Sequence, residues 1–540
     1  MSSPTTVVSN DDLRSQTAGS FVVPTRISIP ISARQLIGVI CCVVACDVTI
    51  YRGEGFGGLA LLFLFAPLLL WLSSERFHRS RGLVLLGMMC VPVAIKTAWS
   101  GSNGLATIGF ALIIPYGMVL AGLQTNIGNV ARFVGRVPLG GWQGLLQCGR
   151  QFRFSLLLPR ATWIKVLLPL VAVIVFGWVF VQANPQMLKW LAAAIALAVE
   201  TVWNRVESVS PVLLEVLFCL VVAMAVLGLV RPSISRRMNK PVTERAVKIA
   251  DPTDTVSSHV YASARNTLGT VIVLFSGYLL YEFATLWTRD FEKGFHYSGY
   301  AHRGAAWLTV ALALATLVLG VVFRGRMLAD RRIGSLKRLA WAWSLLNLLL
   351  AVAVYNRLLI YIDFNGLTRM RIVGLFGIST VVAGFALVVW KISRGCSFGW
   401  LIHRQLVALA IAVFLFSITP VDEIWVRFNV GRILAGETAP AVQLSAHRIG
   451  PGGLLQLAPA LDCDDEIIRE GVRALFAEQH ERITAVEKKR RELGWTSWQL
   501  ADRMALRLLD DNRASWSRYE DVRARKLSRR RFDEYTYQWY

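Results

Sequence analysis

Apolar residues along this chain fall in long continuous runs and do not alternate with polar ones. A membrane-spanning helix needs about 20 mostly apolar residues at about 1.5 Å of rise each. Runs of that kind lie at 35–51, 57–73, 82–99, 104–122, 163–182, 209–230, 266–287, 305–324, 341–362, 370–391 and 401–419. The pattern predicts an all-α, polytopic membrane bundle of about eleven transmembrane helices. The missing alternation excludes an outer-membrane barrel. Met187–Val202 is also apolar but carries Lys189 and Glu200. We expect an interfacial or half-inserted helix there, because a further span would turn the basic loop 231–265 outward.

The polar stretches divide the remainder. Residues 1–34 are Ser/Thr-rich, with Asp11 and Asp12 preceding any apolar run, so they read as a disordered cytoplasmic leader and not as a signal peptide. Spans at 35–122 form a first group of four. A basic cytoplasmic loop, 123–162, follows. It holds Gly140-Gly141-Trp142 and the run Arg150-Gln151-Phe152-Arg153-Phe154, which suits interfacial anchoring or a headgroup or partner contact. The region 163–230 is expected to hold two spans, 231–265 a second basic loop, and 266–419 five more spans. Residues 420–540 read as a small, mainly helical soluble domain. Within it, Ile467, Ile468, Val472, Leu475 and Phe476 fall at helical spacing along Glu466–Leu493, which ends on Lys488-Lys489-Arg490-Arg491. A second helix is expected over 497–510, capped by Ser497. The tail 527–540, with three arginines and five aromatics, suits a membrane surface or a dock onto the domain. Gly450-Pro451-Gly452-Gly453 reads as a turn, since it lacks the Lys-Ser/Thr partner of a phosphate loop.

Composition agrees with the pattern. Hydrophobic residues make up 54% of the 540 and charged ones only 17%, with a mean hydropathy of +0.49. Soluble domains run near 45–50% apolar and about 25% charged, so a soluble enzyme is excluded. The net charge is +23. From Val421 onward 20 basic residues face 19 acidic ones, which leaves 38 against 16 in residues 1–420. The excess therefore lies in the loops of the apolar part. It concentrates in the 74–81, 123–162, 231–265 and 324–340 loops, as the positive-inside rule requires of cytoplasmic segments. Nucleic acid is excluded as a partner; the lipid bilayer is the expected one. With the N-terminus cytoplasmic, eleven spans place the C-terminus on the periplasmic or extracellular side of a bacterial inner (plasma) membrane.

Chemistry is sparse. The chain lacks H-E-x-x-H, G-x-S-x-G and G-x-x-x-x-G-K-[ST], and neither its eight cysteines nor its seven histidines fall at metal-ligand spacing. No cofactor or metal is expected. What stands out is polar residues inside apolar runs, where a charge is costly. These are Asp47, Glu215, Glu282 and Asn347, with Arg357 and Asp363 closing the 341–362 span. Asp47 and Arg52 lie five residues apart, a poor offset for a pair on an α-helix.

Two stretches carry a resemblance. One is Tyr297-Ser298-Gly299-Tyr300-Ala301-His302-Arg303-Gly304. The other is Arg357-Leu358-Leu359-Ile360-Tyr361-Ile362-Asp363-Phe364-Asn365-Gly366-Leu367-Thr368-Arg369-Met370-Arg371. They resemble the bacterial polytopic families known as domain of unknown function 4173 and its sibling 4153. Asp422-Glu423-Ile424-Trp425-Val426-Arg427-Phe428-Asn429 and Gly494-Trp495-Thr496-Ser497-Trp498 are similar to elements of the same families. The resemblance covers roughly 260–500, and more weakly the N-terminal spans, and supplies no substrate or reaction. In the first motif His302 stands where the family has another basic residue.

Read together, the motifs bring Tyr300, His302, Arg303, Arg357, Asp363 and Arg369 toward the outer face, beneath the C-terminal domain. Three function classes fit. The first is an envelope-facing scaffold or sensor, with an envelope protein or lipid-linked molecule as partner. The second is a secondary transporter using Asp47, Glu282 and Asn347. The third is a membrane enzyme acting on a lipid-linked substrate through His302, Arg303, Arg357 and Asp363. The lack of catalytic motifs ranks the non-enzymatic scaffold or sensor first.

Overall fold

A computed structural model describes residues 31–74, 80–123, 125, 127–151, 211–231, 258–286, 297–323 and 332–539. Every regular element among them is helical. Eight helices are long and apolar enough to cross a membrane, as befits a membrane-embedded protein, and two further apolar helices are shorter. The long ones are α1 (Ala33–Cys46, continued by a π-turn Asp47–Tyr51), α3 (Arg81–Ser100), α4 (Asn103–Leu120), α7 (Pro211–Val230), α8 (Ser258–Leu286), α10 (Ile333–Asn365), α11 (Arg369–Arg394) and α12 (Phe398–Ile418). The shorter apolar stretches are α2 (Phe56–Leu72) and Trp307–Gly320 within α9 (Tyr297–Val322). The expected span 163–182 and the interfacial helix 187–202 lie outside the described residues, as do most of the 231–265 loop and residues 1–30 of the expected leader, whose last two residues begin α1.

Local chemistry sets the ends of these helices. Ser80, Ser102, Thr368 and Ser397 each accept a backbone N–H of the first turn through the side-chain hydroxyl. Their outer surfaces stay apolar: Val273 is 73% exposed and Leu280 72%. Continuous exposure of that kind suits hydrocarbon and not water.

The expected 123–162 loop is in part helical. It contains α5 (Ile127–Val134) and α6 (Val137–Gln151), and α6 crosses the end of α7. Gly141 and Gly228 let the two backbones touch. Leu145 of α6 packs against a core that includes Val226 and Leu227 of α7, and the glycine-interrupted apolar spacing of α6 hid it in the sequence.

α1–α4, α6 and α7 form one group, and α8–α11 a second. The end of α12 packs Phe414 and Ile418 onto Phe63 and Val93 of the first group, so it lies on the seam. The C-terminal helices follow: α13 (Val421–Leu434), α14 (Ala441–Ala446), α15 (Pro451–Leu454), α16 (Glu466–Leu493), α17 (Leu500–Asp511) and α18 (Val522–Thr536). They do not hang free. One hydrophobic core runs from Leu279, Leu350 and Ile362 of the bundle through Trp425, Val430 and Leu454 to Phe476, Trp516 and Phe532.

Glu466–Leu493 is helical as predicted. The next helix starts later than expected, at Leu500, with Gln499 at its N-cap. Ser497 sits in a 3₁₀ turn, Trp495–Ser497, and its hydroxyl donates to the carbonyls of Arg490 and Gly494. It closes the end of α16 instead of opening α17. The tail docks: Phe532 is fully buried against Gly471 of α16, and the Tyr535 hydroxyl donates to Asp465 at 2.8 Å.

Candidate functional site

The resemblance motifs meet at one end of the bundle, where α13 and α14 cover the turn between α10 and α11. Gly366 adopts φ +80°, a left-handed conformation that a side chain would strain. The turn leaves backbone groups that neither helix satisfies. Fully buried Asn429 takes both groups of Leu367: its Oδ1 accepts the N–H at 2.7 Å and its Nδ2 donates to the carbonyl at 2.8 Å. Gln443 donates to the Asn365 carbonyl at 2.8 Å and Arg432 to that of Ile362 at 3.1 Å. Arg371 donates to the Gly366 carbonyl and lies 3.7 Å over the Tyr361 ring. Apart from the Ile362 carbonyl, which also accepts the Gly366 N–H at 2.8 Å, these are groups that the two helix ends leave open; Asn429, Gln443 and Arg432 reach the turn from a distant segment and Arg371 from α11 itself.

Two adjacent acids at the start of α13 divide their partners. Asp422 receives Arg369 of α11 in a two-pronged contact (2.6 Å for one prong) and the Trp425 indole at 3.2 Å. Glu423 receives the Trp99 indole of α3 at 2.6 Å, with Lys96 3.8 Å away. The turn between α16 and α17, Trp495–Gln499, grips the first group again. Gln499 accepts the Gly101 N–H at 2.5 Å and donates to the Thr97 carbonyl at 3.2 Å, while the Thr496 hydroxyl accepts the Glu54 N–H at 3.1 Å. Asp422 and Glu423 therefore tie both helix groups to one short helix.

His447 closes α14 nearby, with its ring 6.5 Å from that of Trp425. Burial pushes its pKa below the usual 6.5, and the charges of Arg371 and Arg369 push it the same way.

The expected polar cluster is dispersed by this geometry. Arg357 points into the bundle. It makes a two-pronged ion pair with Glu282 of α8 (2.5 Å for one prong), and the Tyr278 hydroxyl donates to the same carboxylate at 2.7 Å. Glu282 is 1% exposed and Arg357 5%. Arg369 belongs to Asp422. Asp363 is 76% exposed, with Arg432 3.6 Å away. Thus Arg357, Asp363 and Arg369 form ion pairs with three different residues, Glu282, Arg432 and Asp422. Tyr300, His302 and Arg303 lie in the first turns of α9.

Asp47 and Arg52 do pair, at 3.0 Å, against the expectation from their spacing. The reason is the π-turn. Its extra residue per turn places residue i+5 over residue i, and the Arg52 N–H donates to the Asp47 carbonyl at 2.8 Å. Glu215 of α7 also binds Arg52. Asn347 turns back on its own helix, donating to the Trp343 carbonyl at 2.8 Å; its Oδ1 is buried with no hydrogen-bond partner among the described residues. No group of three or more metal-ligating side chains gathers among the described residues.

Sequence reading missed the roles of Asn429, Gln443, Glu423 and Gln499. Two of these lie in a segment marked only for its resemblance, and nothing in one dimension pairs it with the Gly366 turn.

No curated protein and no solved structure matches the chain. The family model described as Domain of unknown function (DUF4153) matches residues 56–453, well over half the chain, taking in N-terminal spans as well as the motif stretches. Its match takes in the α2 head, the buried Glu282–Arg357 pair, the Gly366 turn and Asp422 and Glu423, and the chain belongs to that family.

Proposed function

We propose that this protein is an envelope scaffold or sensor of the bacterial inner membrane, in which the C-terminal helices form a platform on the non-cytoplasmic face. The observation that carries this reading is the split between Asp422 and Glu423. One acid holds α11 and the other α3, so any force or ligand acting on the platform is felt by both helix groups.

The topology is an eleven-span one. The helix ends support it: the platform meets the 52–57, 97–101 and 362–371 regions, whereas the end of α2 at Leu72, the start of α3 at Arg81 and the start of α10 at Ile333 are the opposite ends of those helices, next to the stretches whose sequence is rich in arginine. α4 finishes at the arginine-rich end and α7 begins at the platform end, where Glu215 meets Arg52. A fifth span at 163–182, with 187–202 left at the interface, meets that requirement.

A transporter path through Asp47 and Glu282 is less supported, since each carboxylate already has a guanidinium partner. A lipid-acting site built on Arg357 and Asp363 is less supported because the two face different partners.

The test is complementation in a strain lacking the chain, read by survival under envelope stress, with a periplasm-active reporter fused after Tyr540. Asp422→Asn with Glu423→Gln should insert normally, keep reporter activity and lose complementation. Full complementation by this variant, or a cytoplasmic reporter signal, would remove the proposal.

A further inference from the structure

A cleft of about 230 Å³ opens where α16 ends and the Trp495–Trp498 turn begins. Arg490, Arg491, Arg503, Trp495, Trp498 and Glu487 line it. Three guanidinium groups thus meet two indoles. Arg503 stands 5.6 Å from the Trp498 ring and uses its Nε on Glu487 at 3.1 Å, so both terminal amino groups of its fork remain for a second partner. Arg490 is held by Asp502. Arg491 is exposed at the rim and pairs with no carboxylate among the described residues. Even with Glu487 and Asp502 both counted, one positive charge is in excess.

The position of the cleft matters as much as its charge. The Trp495–Trp498 backbone lies against Gly55 and Gly57 at the head of α2, the first residues of an apolar helix. Trp495 and Trp498 are therefore level with the end of that apolar helix, the depth at which indoles settle in a bilayer. Trp495 is 56% exposed there. Arginine forks match phosphate oxygens in geometry as well as charge. The volume is below the roughly 300–1,000 Å³ that whole drug-sized ligands occupy, and suits a headgroup whose tail lies elsewhere.

We propose that this cleft binds a phosphate ester, supplied by the headgroup of an anionic phospholipid in the leaflet that contacts the platform. The inference requires the chain to sit in a membrane, and it holds on either side, whether or not the platform acts as a scaffold. A lost complementation phenotype and a lost lipid site are thus separate outcomes.

The test uses the full chain in neutral detergent, titrated with phosphatidylglycerol and, in parallel, phosphatidylethanolamine, with bound lipid counted by native mass spectrometry. Phosphatidylglycerol should bind in preference. Arg491→Ala with Trp495→Ala should weaken it about tenfold, about 1.4 kcal/mol. Arg503→Lys, which keeps the charge facing Glu487 but removes the fork, should weaken it too. Arg523→Ala, on exposed α18, should leave it unchanged. Equal binding of the two lipids, or an equal loss in Arg523→Ala, would overturn the proposal. Competition by soluble glycerol phosphate would identify a free phosphate ester as sufficient; competition only by diacyl lipid would identify the bilayer as the source.

Discussion

At the scale of single residues, the protein places its costly groups in fixed pairs. Glu282 and Arg357 are both buried in the bundle, and a lone charge there would cost far more than the pair. Glu282→Gln should lower stability by about 3 kcal/mol, because it leaves the guanidinium without its counter-charge. The thermal midpoint in detergent measures this, and a Glu282→Leu, Arg357→Met double variant should recover most of the loss. If Glu282→Gln melts like the parent, the pair is not structural. Asn429 offers a second case. Asn429→Leu removes two hydrogen bonds and strands the backbone of Leu367, a cost of about 2–3 kcal/mol. Trypsin should then cut after Arg432 faster than in the parent; an unchanged rate would mean that water replaces the amide.

Among the elements, α18 shows how a polar-looking tail is recruited. The tail that it carries, 527–540 with Arg529-Arg530-Arg531 and five aromatics, suits either a membrane surface or a dock onto the domain. Phe532 and Tyr535 seat it on the core beside α16, and the Thr536 hydroxyl bonds that of Ser445 in α14. Phe532→Ala should cost about 3–5 kcal/mol, the usual loss for a buried aromatic. Hydrogen exchange in 522–536 should rise most, and a uniform rise across α16 and α17 as well would mean that the C-terminal helices melt as one unit. The π-turn at Asp47–Tyr51 works at the same scale. By inserting one residue into the turn it makes an ion pair that regular α-helical spacing denies.

For the whole molecule, docking of the C-terminal helices on the bundle is expected to depend modestly on pH through His447, whose side chain is partly open to solvent. Its depressed pKa means that the docked state resists a proton which the undocked state takes up near pH 6.5. Docking is fully favoured above pH 6.5 and weakens as pH falls below it, levelling off below the docked pKa. The rate of proteolysis at the α13 junction should rise between pH 7.5 and 5. His447→Gln should flatten that slope; an unaltered slope in the variant would assign the effect to another group.

The sequence by itself determined the class of fold and the approximate limits of the apolar helices, because each span is a local property: about 20 apolar residues satisfy their own backbone within one helix. It determined Glu466–Leu493 for the same reason, and it marked the stretches 357–371 and 422–429 as unusual. Only the tertiary structure decided that these stretches bind each other, that Arg357 turns inward to Glu282 while Arg369 turns to Asp422, and that Gln499 and Glu423 hold α3. Those choices depend on which helix ends lie side by side. Hydropathy carries no record of that, because a lipid-facing and a protein-facing apolar residue look alike in the sequence, and a polar residue's partner is set by packing hundreds of positions away.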